Sequence, residues 1–389
     1  MGRVKEEANV EIDSKILTIL SMNGRATLDF IGKHVGLSKH PTYRRIKRLE
    51  ENYGIKYIAE IDVSKFGYLG YMAFVKFRDK VPDLHLIRKA LENEPRVQLV
   101  LLTNGEYDLV IYFLSNDHRD AAYLIFKLRV EGPFAPYPSD WYLTPHYTAN
   151  FIPLRGEFFE LLKKNIWHRT RDTKKPSERN LLEREYTLLR ELNNYGTASF
   201  SNIDDKYKIG KGASRYTYYK LREKGVLKRI TISMQMLPIK YHAIFFISPF
   251  FGSRFSRTRP DLLSEVIKDG NIINKFIQNS EIGTPVGVML VMPVFDDIDI
   301  KNTEDYLNSK IKGITLRKLI ITNIPIGSFA YRRFDKTYTN QYRILVEEYK
   351  ALRYNEQTNY EEGIKQKKHK NERIDINTSN TNGSVSDML

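Results

Sequence analysis

The order of elements read from the first half of the chain recurs in the second. Residues 11–22 (EIDSKILTILSM) put Ile12, Ile16, Leu17, Ile19 and Leu20 on one helical face, and Asn23-Gly24 stops that helix. Thr27 is placed to cap a second helix over 28–35, ended by Gly36. Ser38 is placed to cap a third that runs to about Asn52, before Tyr53-Gly54, and 55–63 (IKYIAEIDV) reads as a strand. Three short helices followed by a strand form a winged helix-turn-helix pattern, with Tyr43, Ile46 and Leu49 of the third helix expected in its core. Next come a strand over 69–77 and a helix over 83–93 with Leu84, Ile87, Ala90 and Leu91 inward. Strands over 96–103 and 107–115 meet at Asn104-Gly105-Glu106; a helix over 117–129, a proline-rich detour and a strand over 142–152 follow. The order is βαββαβ, a ferredoxin-like pattern.

After a polar, basic stretch at 163–180, helices are predicted over 181–193, 199–208 and 213–224, and a wing over 226–236. A strand over 241–250, a helix over 260–269, strands over 272–279 and 285–294, a helix over 303–311 and a strand over 314–324 repeat βαββαβ. Gly24 matches Gly196 and Gly54 matches Gly225, an offset of about 171 residues, which marks an internal duplication. The fold class expected is α+β: two tandem units, each a winged helix-turn-helix followed by a ferredoxin-like domain. The domains are read as 9–64, 67–160, a linker at 161–180, 181–236 and 238–330, with a disordered tail at 357–389 where apolar residues are few.

Charge narrows the partners. Lys and Arg number 62 against 47 Asp and Glu, leaving +15, and residues 351–389 are balanced, so the excess lies in the body of the chain. Such a body attracts polyanions, nucleic acid first. With no cysteine, disulfide frameworks, thiolate metal sites and cysteine nucleophiles are excluded. The longest apolar runs, such as 286–295, are about ten residues, too short for a membrane helix, and the first residues lack the apolar core of a secretory signal; a cytoplasmic protein is expected. There is no Gly-rich phosphate loop, HExxH or Gly-x-Ser-x-Gly, and no histidine pair at metal-ligand spacing, so neither an enzyme nor a cofactor is expected.

The chemistry concentrates at 37–50 (LSKHPTYRRIKRLE), where five cations and no acid lie between Lys39 and Arg48. On the third helix of a helix-turn-helix this is the composition of a reading helix. Lys39, Arg44, Arg45 and Arg48 would supply phosphate and base contacts; Ser38, His40 and Thr42 would add polar ones. A solvated basic face is the plain alternative. In the second half, Lys211, Ser214, Arg215, Tyr216 and Lys220 are the corresponding DNA-contact candidates.

The segment from Ile16 to Asp62 resembles the DNA-binding head of the leucine-responsive regulator (Lrp/AsnC) family. The shared features are Asn-Gly-Arg at 23–25, Val-Gly-Leu-Ser at 35–38, Arg-Arg at 44–45 and Arg-Leu-Glu at 48–50. The following βαββαβ is similar to that family's regulatory domain, and its Gly-x-Tyr-Asp hairpin stands here as Gly105-Glu106-Tyr107-Asp108. The resemblance implies a prokaryotic, nucleoid-associated transcription regulator, with archaea favoured, that dimerises through its sheet. It implies for Gly105, Tyr107 and Asp108 an effector pocket, often for an amino acid; a tight turn is the bland reading of the same residues. The second half departs from the family: the stretch matching the hairpin is Ile282-Gly283-Thr284-Pro285-Val286-Gly287, without Asp. The second sheet domain is therefore read as a built-in partner for the first, an intramolecular pseudo-dimer, with a homodimer of chains as the alternative. Siroheme decarboxylases resemble Lrp regulators and carry a His-Asn-Tyr strand motif for the tetrapyrrole, but RVQLVLLTNGEYD here holds no histidine. The function expected is a sequence-specific regulator of double-stranded DNA. The alternatives are a ligand- or partner-binding regulator that does not read DNA, and a siroheme-decarboxylase-like enzyme.

Overall fold

In the computed structural model, residues 2–146, 148–149, 152–166, 180–234, 241–249, 282–284, 287–294, 297–310 and 314–328 are described. The first head comprises α1 (Gly2–Met22), α2 (Leu28–Val35), α3 (Lys39–Tyr53) and the wing strand β1 (Ile55–Ile61). Thr27 starts α2 as expected, its side chain accepting from the Phe30 N–H at 3.2 Å. Ser38 stands at the start of α3 without a side-chain cap, its carbonyl accepting from both N–H and hydroxyl of Thr42. Ile46 and Leu49 face inward as expected, but Thr42 takes the inward place expected of Tyr43. Thr42, Ile46, Leu49 and Tyr53 are buried, whereas Tyr43 is 47% exposed.

The second head has the same order: α7 (Glu183–Asn194), α8 (Phe200–Tyr207), α9 (Ala213–Glu223) and the wing β7 (Leu227–Met234). Between the heads lie β2 (Leu69–Phe77), α4 (Leu84–Leu91), β3 (Val97–Gly105), β4 (Leu109–Ser115), α5 (His118–Phe126), β5 (Ser139–His146), β6 (Thr148–Ala149) and the short α6 (Phe158–Leu162). After the second head come β8 (Tyr241–Pro249), β9 (Ile282–Thr284), β10 (Gly287–Val294), α10 (Asp297–Lys310) and β11 (Ile314–Ile326). The helix expected at 260–269, the strand at 272–279 and the tail at 357–389 lie outside the described residues, as do 167–179 of the expected linker. The chain leading into that linker is packed: Phe158, Phe159 and Leu162 are buried, and the Leu181 N–H donates to the Asn165 carbonyl at 2.9 Å. On α4, Ile87 and Leu91 face inward as expected, but Leu84 at its first turn is 43% exposed.

Among the described residues nine strands form one sheet in the order β5-β2-β4-β3-β11-β8-β10-β9-β6, so β3 of the first half pairs with β11 of the second. Strand β4 (LVIYFLS) is buried on both faces. Leu109, Ile111 and Phe113 join the apolar cluster beneath α4 and α5, while Val110, Tyr112 and Leu114 join a second cluster on the opposite face. That second cluster includes Ile244 of β8, Val291 of β10 and Leu319 of β11. Because β5 leads directly into β6 at the far end of the strand order, the sheet returns on itself.

Candidate nucleic-acid interface

A helix advances about 100° per residue. With Thr42, Ile46, Leu49 and Tyr53 inward, the ridge opposite the core consists of His40, Arg44, Lys47 and Glu51, all exposed. Ser38, Lys39 and Arg48 flank it and are also exposed. Among the described residues Lys39, His40 and Arg44 make no hydrogen bond or ion pair. Lys47 bonds Glu50 at 2.6 Å, and the other Glu50 oxygen accepts from the Tyr57 hydroxyl at 2.8 Å. Burial, then the Glu50 charge, holds the Tyr57 phenol well above its usual range.

Two of the expected contact residues are withdrawn from this face. Thr42 is fully buried, its hydroxyl bonded to the Ser38 carbonyl at 2.9 Å, so it packs α3 and cannot touch DNA. Arg45 is turned against Asp13 of α1, with a side chain only 14% exposed. Arg48 also reaches Asp13, at 3.2 Å, but keeps 55% of its side chain in solvent. Asp13 thus fixes α3 against α1 and leaves Arg44 the one guanidinium on the ridge centre.

On the second head Ser214, Thr217, Tyr218 and Leu221 of α9 are buried. Ser214 is therefore also corrected: it has no exposure, and its N–H donates to Asp204 at 2.8 Å, anchoring α9 on α8. Lys211, Arg215 and Tyr216 are exposed, and Lys220 is half-buried. Tyr219 and Arg222, outside the expected set, are exposed too.

The heads are joined through their wings. Strands β1 and β7 pair antiparallel, with Tyr57 opposite Ile232, Ile58 opposite Thr231 and Ala59 opposite Ile230. The bonds around this ribbon are reciprocal: the Gly24 N–H donates to the Ile230 carbonyl at 2.8 Å, and the Gly196 N–H to the Tyr57 carbonyl at 2.9 Å. A Cβ on Gly196 would lie 2.8 Å from both the Ile230 methyl and the Tyr57 carbonyl carbon, so only glycine permits this approach. Arg229 bonds Glu60 at 2.6 Å, and the Thr231 hydroxyl donates to the Ser21 carbonyl at 2.7 Å. Lys56, a candidate backbone contact on the wing, is exposed.

One contact from the first head to the second is not matched in the other direction among the described residues. Arg25 donates to the carbonyls of Gly196 (2.8 Å) and Ala198 (3.0 Å), and its guanidinium stands 4.2 Å from the Phe200 ring centre and 5.8 Å from that of Tyr218. Burial lowers its pKa from the usual arginine value. At the position matching Arg25 the second head has Thr197. Arg25 is visible in the sequence only as part of the Asn-Gly-Arg turn, which gives no sign of a partner 171 residues away.

The Gly-x-Tyr-Asp hairpin lies on the seam between the halves. Gly105, at φ +139°, faces Leu319 and Lys318 of β11, and Glu106 pairs with Arg317 at 2.8 Å. The Asp108 carboxylate accepts from the Phe77 N–H at 2.9 Å and from Lys76 at 2.7 Å. The Tyr107 carbonyl accepts from Thr103 at 2.8 Å, and its half-buried ring lies against Phe74 and Tyr142. These residues hold the turn together. Among the described residues no group of three or more His, Asp or Glu could hold a metal ion, and no helix is long and apolar enough to cross a membrane.

Comparison with known proteins places these features. The AsnC-type helix-turn-helix domain matches residues 11–50. The HTH-type transcriptional regulator FL11 of Pyrococcus horikoshii is 35% identical over 102 residues, covering 26% of this chain and 67% of that protein. The Bkd operon transcriptional regulator of Pseudomonas aeruginosa is 31% identical over 118 residues, 30% of this chain and 76% of that protein. Among solved structures, the siroheme decarboxylase NirDL superposes with a TM-score of 0.52 over 87% of this chain and 99% of its own, at 14% identity. That likeness concerns the fold alone.

Proposed function

The chain belongs to the Lrp/AsnC family of helix-turn-helix transcription regulators, and from that premise we propose that it binds double-stranded DNA sequence-specifically through α3 and α9 of one chain. The observation that carries the reading is the outward ridge of α3. Arg44 stands exposed and unpartnered at its centre among the described residues, while the neighbouring Arg45 is consumed by Asp13. A guanidinium held ready on a helix-turn-helix suits bidentate contact with guanine or phosphate. Lys39, His40, Lys47 and Arg48 surround it, and the net charge of +15 favours approach to a polyanion.

The two halves act as a covalent pseudo-dimer. The β1–β7 ribbon and the β3–β11 seam supply within one chain the pairing that a dimer would supply between chains. Because α3 and α9 differ, such a pair reads an asymmetric site. The protein acts as a regulator and not as an enzyme. The decarboxylase reading lacks its motif, since β3 and β4 and their turn hold no histidine; a heme-like absorbance band on adding siroheme would favour it. An amino acid or similar small molecule at 105–108 would bear on both halves through the seam. A thermal shift lost in Asp108→Ala would identify it.

The main test is selection of bound fragments from a random duplex library with wild type and an Arg44→Ala/Lys47→Ala variant. An enriched motif that the variant loses is expected. Equal weak binding by both would instead support a ligand- or partner-binding regulator that does not read DNA.

A further inference from the structure

Burial fixes the register between the two reading helices. Thr42, Ile46 and Leu49 of α3 correspond to Ser214, Tyr218 and Leu221 of α9, an offset of 172 at each, and Gly225 follows α9 one residue earlier in that register than Gly54 follows α3. In that register the outward ridge His40-Arg44-Lys47-Glu51 corresponds to Gly212-Tyr216-Tyr219-Glu223. The acid at the end is kept and the cations are gone. In their place stand two tyrosines three residues apart, 63% and 55% exposed. The cations have moved round the helix. Tyr43-Arg44 on α3 becomes Arg215-Tyr216 on α9, a transposition that carries the guanidinium about 100° from the ridge centre. There Arg215 shares a flank with Arg222, seven residues on, and the exposed Lys211 stands just before the helix.

Two exposed tyrosines on a water-facing ridge bury no core, since Tyr218 and Leu221 already do that. They do not complete the wing either, because β7 pairs with β1. Their chemistry differs from that of arginine in the groove. A guanidinium offers two parallel donors that match guanine O6 and N7, whereas a phenol offers one hydroxyl and an apolar ring suited to the thymine methyl. Cations on a flank suit the phosphates that border the groove.

We infer that the protein takes a bipartite duplex site with chemically unlike halves. α3 reads a guanine-containing half through Arg44; α9 reads an A·T half through the rings of Tyr216 and Tyr219, with Lys211, Arg215 and Arg222 on the phosphates. The inference rests on the proposed DNA reading and specifies its target.

Selection from a random duplex library with the full chain tests it, using wild type, Arg44→Tyr and Tyr216→Arg. All the altered side chains are exposed, and unchanged circular dichroism and melting would show the fold intact. Wild type is expected to enrich one half with an invariant guanine and one with A·T pairs. Arg44→Tyr should lose the guanine, with preference at that position falling roughly ten- to a hundredfold. Tyr216→Arg should introduce guanine into the other half. A perfect inverted repeat from wild type, or Tyr216→Arg leaving the second half unchanged, would overturn the inference while sparing the regulator reading. Binding by wild type to single-stranded oligonucleotides in preference to every duplex would overturn it in favour of base stacking on the tyrosines. No enriched sequence at all would bring down the DNA reading, and this inference with it.

Discussion

In the first head Asp13 of α1 holds Arg45 and Arg48 of α3, so two cations of that helix secure it to its neighbour. In the second head the acid at the matching position, Glu185, is almost fully buried and bonds Lys224 beyond the end of α9. The apolar support differs as well. Tyr186, Leu188, Leu189, Leu192 and Leu221 of the second head share one cluster with Phe158, Phe159 and Leu162 and with the sheet. Ile16, Leu17, Leu20, Ile31, Ile46 and Leu49 of the first head stand outside that cluster, and that head meets the rest through the wing ribbon and Arg25. Equal element order therefore conceals unequal roles. The second head is built into the body, while the first is a small core hung on a two-stranded ribbon with its cations toward solvent.

Breaking the stitch beneath the second head should have the largest effect. Phe159 is buried against Tyr186, and Phe159→Ala should cost about 3–5 kcal/mol in urea unfolding. A loss under about 1 kcal/mol would mean that the second head is no better anchored than the first. Arg25→Ala comes next, removing two charge-assisted bonds and leaving two carbonyls to find water, at about 1.5–3 kcal/mol. Arg25→Lys should not restore it, because one ammonium cannot reproduce the planar contact with Phe200. If the clamp sets the relation of the heads, Arg25→Ala should also accept a wider range of half-site spacings in a binding selection.

Acid should act on the second half first. His242 lies on β8 between Pro293 and Ile321, and burial pushes its imidazole down to about 4. In the unfolded chain it titrates near 6.5. Between these values the unfolded chain holds the proton and the folded one does not. Stability is thus complete above about pH 6.5 and falls as pH drops toward 4, by about 1–3 kcal/mol. His242→Gln should flatten that part of a stability-against-pH curve. The smallest effect is expected at Lys211, where Lys211→Ala should reduce the salt slope of duplex binding by about 0.9, the value for one phosphate contact, without altering the selected sequence.

The α3 helix shows how far the sequence reaches. Its limits, its cap position and its cluster of cations follow from the residues. Which residue of its first turn faces inward does not follow, because Tyr43 is the larger apolar candidate and Thr42 the more polar one. The outcome turns on the crossing of α2 with α3. A Cβ on Gly32 would lie 3.1 Å from the Thr42 hydroxyl, so the helices approach too closely there for an aromatic ring. The Thr42 hydroxyl is satisfied by the Ser38 carbonyl, which lets a polar side chain fill that space. The same burial removes Thr42 and Ser214 from the outward faces of α3 and α9, and on α9 it leaves Tyr219 exposed beside the already expected Tyr216. Arg45 was indistinguishable from Arg44 until Asp13, 32 residues away in the chain, was brought against it.

By itself the sequence determined the helices and wings of both heads, the strands and helices of the first sheet domain, the absence of thiol chemistry and the cluster of cations on the third helix, because helix caps, turn residues and apolar periodicity act within a few residues. The tertiary structure decided which cations remain free, that the wings pair with each other, that β3 meets β11, and that Arg25 reaches Phe200. Those outcomes depend on groups far apart in the chain competing for the same hydrogen bonds and the same apolar surface, and only the packed chain resolves that competition.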